Sequence, residues 1–472
     1  MLKQSKGITL IALIITIIVM MILVAVSVTV ALDGGLFGTA KKAASETGLK
    51  AEEEMLFSAV VGAIGTDAKV DFSKIKLPDG FTGKNGTYTS SKGNTFVVSE
   101  NGEITELKIG IGVTLVPYEE LTGDLKTAMD EGKITAVLKE TKDGIEMQAV
   151  IPAGFNVSTK NGENTISGGL VISDANGNEF VWVPCTTDVN DTSGLILYAQ
   201  DKRYNDGRLA TKQLEYTNYS DWKDEGGNID SVNKYGGFYV GRYEAGIPSN
   251  APFYANVDGD AYIIEGRDSA EYIPVSKPNN PSWGYISQIN AKTVAEKMYI
   301  GSTSVESSLI DSYAWDTIVN WMESKNPSIA IDSRIYGNYL NSSISITDGL
   351  YAIYKYNNTT YITSSYPNKY QKGTINVEVR TGSGEQEAYE IATGSTEKTK
   401  VLNIYDMSGN MWEWTTEVGN HDAESNSLEY AVLRGGGLNN YGEFYTISNR
   451  HGNKPSAQPG YIVGFRVVLY VK

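Results

Sequence analysis

Residues 406–414, Asp-Met-Ser-Gly-Asn-Met-Trp-Glu-Trp, place two carboxylates, Asp406 and Glu413, on either side of a turn at Gly409. Carboxylates and turn carbonyls gathered over so short a stretch form the donor set of a hard cation such as calcium. The competing reading is an ion pair. A buried carboxylate is commonly matched by a basic side chain, and Arg434 and Arg466 are the candidates. The segment's tail alternates, with Trp412 and Trp414 directed one way into a core and Met411 and Glu413 the other. Nucleophilic and redox chemistry have less to work with. The one cysteine, Cys185, follows an apolar run and reads as a small buried side chain rather than a nucleophile. The two histidines, His421 and His451, are too few for a histidine-rich metal cluster. A Ser-His-Asp triad through His451 is the hydrolytic alternative, but a lone loop histidine is more often surface decoration.

Recognition is the other chemistry on offer. The last loop carries Asn439, Asn440, Tyr441, Tyr445, Ser448, Asn449, His451 and Asn453. Tyrosine supplies a large rigid contact surface and asparagine adaptable hydrogen bonding, the mixture favoured in binding surfaces. The bland reading assigns the same residues to turns and strand faces.

These groups need a scaffold. Phe180-Val181-Trp182-Val183-Pro184 reads as a buried strand with a proline stop, and Gly237 to Glu244 as a second strand. Helices are expected at about Ala291 to Met298 and Leu309 to Met322, the second with Trp315, Ile318, Val319 and Met322 along one face. Between Arg334 and Lys400, runs of Asn, Ser, Thr, Gly and Tyr predict irregular loops with few strands. Upstream, Leu121 to Val137 predicts a short helix and Ile145 to Ile151 a strand. Residues 109–167 are read as a linker or small subdomain. Residues 67–108, with Asp79-Gly80, Asn85-Gly86 and Asn101-Gly102, read as short strands joined by tight turns.

The N-terminus is of another kind. Lys3 and Lys6 precede Gly7, and no charged side chain occurs from Ile8 through Leu32. A bilayer-crossing helix needs about 20 apolar residues. The lysines predict an N-terminus inside and everything beyond about residue 40 outside the cell. A signal peptide cut near Ala25-Val26-Ser27 is the rival. Glycines at 34, 35 and 38 are expected to interrupt the helix. Helical spacing then resumes through Met55, Leu56, Ala59, Val60 and Ala63, with Glu52, Glu53 and Glu54 on the opposite side.

With 472 residues the chain suits two or three domains. Its formal charge of −16, from 56 acidic and 40 basic residues, disfavours a nucleic-acid partner. One cysteine allows no intrachain disulfide, which for an exported chain points to a Gram-positive or anaerobic bacterial host.

Two resemblances follow. Lys6-Gly7-Ile8-Thr9-Leu10-Ile11-Ala12 resembles the processing site of type IV prepilins. That resemblance implies a prepilin peptidase that cuts after Gly7 and leaves a methylated Ile8. Residues 8–66 would then be a transmembrane and pilin-like helix behind a leader at 1–7, and 67–108 a small pilin-like β region. Family members usually carry glutamate where Ala12 stands, so the resemblance implies a minor pilin or pseudopilin, alone or with other pilin subunits.

Asp406 to Trp414, with Leu433-Arg434-Gly435-Gly436-Gly437 and Gly464-Phe465-Arg466-Val467-Val468, resembles the formylglycine-generating, or sulfatase-modifying-factor, family over residues 168–472. It implies a C-type-lectin-like fold, giving an α+β chain overall. It also implies a calcium ion held by Asp406, the carbonyls of Gly409 and Met411, and Glu413. The family's enzymes use two cysteines near the end of the domain to bind copper. The matching stretch, Ser448 to Asn453, has none, so no copper and no catalysis are expected. The last loop further resembles the variable region of target proteins of diversity-generating retroelements. The leading expectation is a surface adhesin or binding module for an extracellular glycan or protein, presented by the membrane segment at 8–32. The alternatives are a structural minor pilin or pseudopilin subunit and a copper-dependent oxidase.

Overall fold

A computed structural model of the chain describes residues 36–66, 68–99, 101–198, 223–224, 226–253, 266–357, 360–361, 370–378, 385–419, 430–455 and 458–472. Gly7, Ile8, the apolar run at 8–32 and His421 lie outside these residues. Among the described residues no helix is long and apolar enough to cross a membrane. The chain divides into two compact units, Met1–Glu106 and Leu107–Lys472.

The first unit sets one helix against one small sheet. Helix α1 (Leu36–Val61) continues through Gly38, where the glycine pattern predicts a break. A single glycine costs about 1 kcal/mol in a helix, too little to stop one whose far end is anchored by packing. Leu56 and Val60 are fully buried with Phe81, Tyr88, Phe96 and Val98. The sheet is an antiparallel meander of β1 (Phe81–Lys84), β2 (Thr87–Ser90), β3 (Thr95–Val98) and β4 (Ile104–Glu106). Asn85 and Gly86, with φ of 52° and 95°, close the first hairpin in the left-handed conformation that a two-residue turn requires. Glu52 departs from expectation. Glu53 and Glu54 are exposed, but Glu52 is buried, accepting from Ser90 Oγ (3.0 Å) and Asn94 Nδ2 (2.7 Å) and pairing with Lys92 (3.1 Å). It lies one and two helical turns before Leu56 and Val60, so the helical period carries it onto the buried face.

The second unit is α+β and mostly sheet. It opens with β5 (Val113–Leu115), α2 (Gly123–Asp130) and the long hairpin of β6 (Ile134–Lys142) and β7 (Ile145–Pro152). Residues beyond the hairpin enter the main sheet directly through β8 (Phe155–Val157), β9 (Val171–Asp174), β10 (Glu179–Thr186) and the short parallel β11 (Ile196–Leu197). After β12 (Lys223–Asp224) and α3 (Ile229–Tyr235) come β13 (Gly237–Gly241), α4 (Gln288–Lys297), β14 (Val305–Leu309) and α5 (Ser312–Lys325). Trp182 of β10 and Tyr239 of β13 dock the hairpin onto this sheet, donating to the carbonyls of Gln148 (2.7 Å) and Val150 (2.8 Å).

Asp311 caps α5 by accepting the Ala314 N–H (2.8 Å). Trp315, Ile318, Val319 and Met322, spaced as one helical stripe, are buried against Val181, Val183, Phe238, Val240 and Val468. Strand β10 is buried along both faces, which is why it reads as a continuous apolar run.

Residues 334–400 correct the expectation of loops. Strand β15 (Ile344–Asn357) pairs with β16 (Thr360–Tyr361), β17 (Gln371–Val377) and β18 (Glu385–Ile391) in a four-stranded antiparallel sheet. Ile344, Ile346, Leu350, Ala352 and Tyr354 alternate inward along β15. The polar residues between them serve the other face, so composition alone hides the strand. The chain closes through β19 (Lys400–Val401), β20 (Ile404–Tyr405), β21 (Trp412–Gly419), β22 (Tyr430–Arg434), β23 (Arg450–Pro455), β24 (Val463–Phe465) and β25 (Val467–Val471). Strand β21 pairs with β12, β22 and, in parallel, β24, while β25 lies between β13 and β14 in the main sheet.

Candidate functional site

Strand β21 is the hub. Trp412, Glu413 and Trp414 are all buried, as is Met411 before it. Glu413 meets Arg466, whose Nε lies 3.2 and 3.1 Å from the two carboxylate oxygens and whose Nη2 lies 2.7 Å from Oε1. The remaining donors of Arg466 reach the carbonyls of Gly241 (2.9 Å) and Tyr405 (2.9 Å). One guanidinium therefore ties together β13, β20, β21 and the β24–β25 junction. Of the two basic candidates, Arg466 is the partner. Arg434 instead pairs with Asp316 of α5 and lies over the Trp315 ring.

The donor set that the family resemblance assigns to calcium is partly engaged within the protein. Both oxygens of Glu413 are engaged by Arg466, and Asp406 Oδ2 accepts the Gly394 N–H (2.8 Å), while Asp406 Oδ1 is buried without a hydrogen bond. Among the described residues no three His, Cys, Asp or Glu side chains group as metal ligands. Melting temperatures should therefore coincide with calcium added and with chelator added. A rise on adding calcium would place a cation here, because a ligand of the native state alone must stabilise it.

Asn410 and Glu244 complete the layer, and neither stands out in the sequence. Asn410, with φ of 57°, donates from Nδ2 to Glu244 (2.7 Å) and accepts at Oδ1 from the Ile391 N–H (3.0 Å) and Asn338 Nδ2 (3.0 Å). Glu244 also accepts from Ser282 Oγ (2.6 Å) and the Met411 N–H (3.0 Å). A left-handed asparagine bonded to a buried glutamate carries no titratable group of its own to mark it in the sequence.

Burial pushes the carboxyls of Glu244, Asp406 and Glu413 above the usual range. The charges of Asp406 and Glu413 push Glu244 further, while Arg466 opposes the rise at Asp406 and Glu413. In the native state these groups hold their protons to higher pH than in the unfolded chain. Their contribution to stability is present at low pH and is lost as pH rises above the unfolded values, 3.8 for Asp and 4.5 for Glu. Asp406→Asn, which mimics the neutral form, should flatten the fall in urea midpoint as pH is raised from below the unfolded value of 3.8 toward neutrality. An unchanged slope would remove Asp406 from the linkage. Glu163 works in the opposite sense. Burial raises its pKa, but hydrogen bonds from Arg242 and Ser158 outweigh that and lower it, so its contribution is lost in acid.

In front of this layer runs the loop from Arg434 to Arg450. Gly436 has φ of 73°, and a Cβ there would lie 2.4 Å from the Tyr445 carbonyl oxygen, so the glycine lets the loop fold back on itself. Trp412 is flanked by Tyr445 (ring centroids 5.7 Å, edge-on) and His451 (5.5 Å). Asn440 accepts the Gly437 N–H through its side chain (2.9 Å), a turn role, and Asn439 is half-buried. Tyr441 is exposed. Asn449, expected at the binding face, is buried. Its carbonyl accepts from Arg434 Nε (3.0 Å), and its side chain turns back toward the Phe444 carbonyl (3.4 Å). Phe444, which the sequence does not single out, is 51% exposed. Cys185 is fully buried, and burial pushes its thiol far above the ordinary range.

Residues 353–471 match the family model of the sulfatase-modifying factor enzyme 1-like domain, so a domain of this type is present in the second unit. Among solved structures, Treponema denticola variable protein 1 aligns at 13% identity over 66% of this chain and 98% of its own, with a TM-score of 0.26. The Major Tropism Determinant I1 variant aligns at 12% identity over 83% of each chain, with a TM-score of 0.27. Scores this low do not establish a shared fold. A search of curated proteins finds no match.

Proposed function

We propose that the second unit is a non-catalytic binding module whose contact surface is built by residues 331–335 and 441–444. The apolar N-terminal run would carry it at the cell exterior after prepilin-like cleavage between Gly7 and Ile8. The observation behind this reading is a group of exposed apolar side chains on two adjoining segments. Ile331, Ile335, Tyr441 and Phe444 are 49%, 63%, 37% and 51% exposed. They flank a backbone contact between the two segments, Ser333 N–H to the Gly442 carbonyl (3.0 Å). Arg334 sits between them, bonded to Asp332 Oδ1 (2.9 Å) and 3.8 Å from Glu443. Exposed aromatic and aliphatic side chains around an arginine are the make-up of a protein-binding surface. The buried arginine–carboxylate layer behind it keeps that surface rigid, which lowers the entropic cost of binding. With one cysteine in the sequence, two-cysteine copper chemistry has no ligand set.

The test is saturable binding of the labelled full-length protein to a panel of eukaryotic and bacterial cells. The double variant Tyr441→Ala/Phe444→Ser should lose about 100-fold or more in affinity, since hot-spot aromatics contribute about 2 kcal/mol or more each, not fully additively. Protease treatment of the target cells should abolish binding, and glycosidase treatment should not. Equal binding by the variant would remove this face. Loss of filaments on gene deletion, with the variant behaving as wild type, would favour the structural pilin-like role instead.

A further inference from the structure

A cavity of about 190 Å³ opens between the tip of the β6–β7 hairpin, the segment leading into β11 and the last turn of α5. Its floor is apolar, formed by Met147, Ile196 and Trp321. Its mouth holds three exposed charges, Lys142, Asp143 and Lys325. In a chain of net charge −16, two lysines facing one pocket are a local reversal. The neighbouring Lys139 is paired with Glu146 across the same hairpin (2.9 Å). No such side-chain partner accompanies Lys142, Asp143 or Lys325 among the described residues.

The geometry points to a binding site for a free apolar α-amino acid. Size sets the first limit. A dry cavity of about 150 Å³ accepts benzene, so this volume suits an apolar group of five to seven carbons or so with its polar end at the mouth. Charge sets the second. The two ammonium groups match a carboxylate, while Asp143 and the electronegative C-terminal end of α5 match an ammonium. A simple carboxylate would leave Asp143 and the helix end opposed to it. A phosphate would meet a helix C-terminus, where the dipole disfavours anions. A peptide carries only one of the two charged ends beside any given apolar side chain. The free zwitterion satisfies all three charges and the floor together.

Calorimetric titration of the full-length protein with L-leucine and L-phenylalanine tests this. Saturable binding is expected with at least one of them. Lys142→Glu, Lys325→Glu and Asp143→Lys should each weaken it by about tenfold, one charge–charge contact's worth. N-acetyl-leucine and leucinamide, each lacking one charge, should bind more weakly by a similar factor. Ser324→Trp, which fills the mouth from an exposed helical position, should abolish binding while leaving the melting temperature unchanged. No saturable heat with either amino acid would overturn the proposal. So would leucinamide or N-acetyl-leucine binding as tightly as leucine itself, or charge variants that bind like wild type.

Discussion

Arg466→Met should destabilise the second unit by about 3–5 kcal/mol, the loss typical of leaving one buried charge without its partner. Arg466 is fully buried, and its removal strands the Glu413 carboxylate together with the carbonyls of Gly241 and Tyr405. A domain's whole stability is about 5–15 kcal/mol, so the urea midpoint should fall by a large fraction. Glu413→Gln should cost less, because the amide oxygen still accepts from the guanidinium. The double variant Arg466→Met/Glu413→Leu should recover much of the loss, since apolar replacement of an entire buried pair is often close to neutral. An Arg466→Met unfolding free energy within about 1 kcal/mol of wild type would show that the pair does not hold these strands together.

The second large effect is expected at Trp315→Ala, about 3–5 kcal/mol from lost burial and the cavity left behind. Trp315 sits at the centre of the main core. Its Nε1–H donates to the Ile447 carbonyl (2.9 Å), and its ring lies under Arg434 (5.7 Å). Trp315→Phe keeps most of the packing and removes the donor, so its cost should be nearer the 1–3 kcal/mol of one unsatisfied buried acceptor. Equal losses in the two variants would mean that the hydrogen bond, and not the ring volume, dominates. Because Ile447 lies in the loop behind the exposed face, Trp315→Ala should also weaken ligand binding, whereas Trp182→Phe, across the main sheet, should not.

Local periodicity accounts for what the sequence conveyed. The α5 stripe, the β10 run and the Asn85-Gly86 turn each depend on residues within a few positions of one another, and each forms where the pattern places it. Strand β15 was hidden because its alternation passes through a bulge at Asp348 (φ of 49°) and because its outward residues are polar. Asn449 is placed by long-range contacts in the same way. Its residue type suits a binding surface, but its carbonyl is held by Arg434 and its side chain by the turn at Phe444.

The amino-acid order determined which groups could interact: two carboxylates in one short motif, two arginines downstream, a single cysteine and a loop rich in tyrosine and asparagine. Folding in three dimensions chose among the partners. Glu413 and Arg434 stand directly opposite each other in the β21–β22 register, yet Glu413 pairs with Arg466 and Arg434 turns to Asp316. That choice depends on β24 lying parallel to β21 and on α5 packing against the sheet. Sheet order and helix docking are long-range consequences of shared apolar burial, and no short window of sequence encodes them.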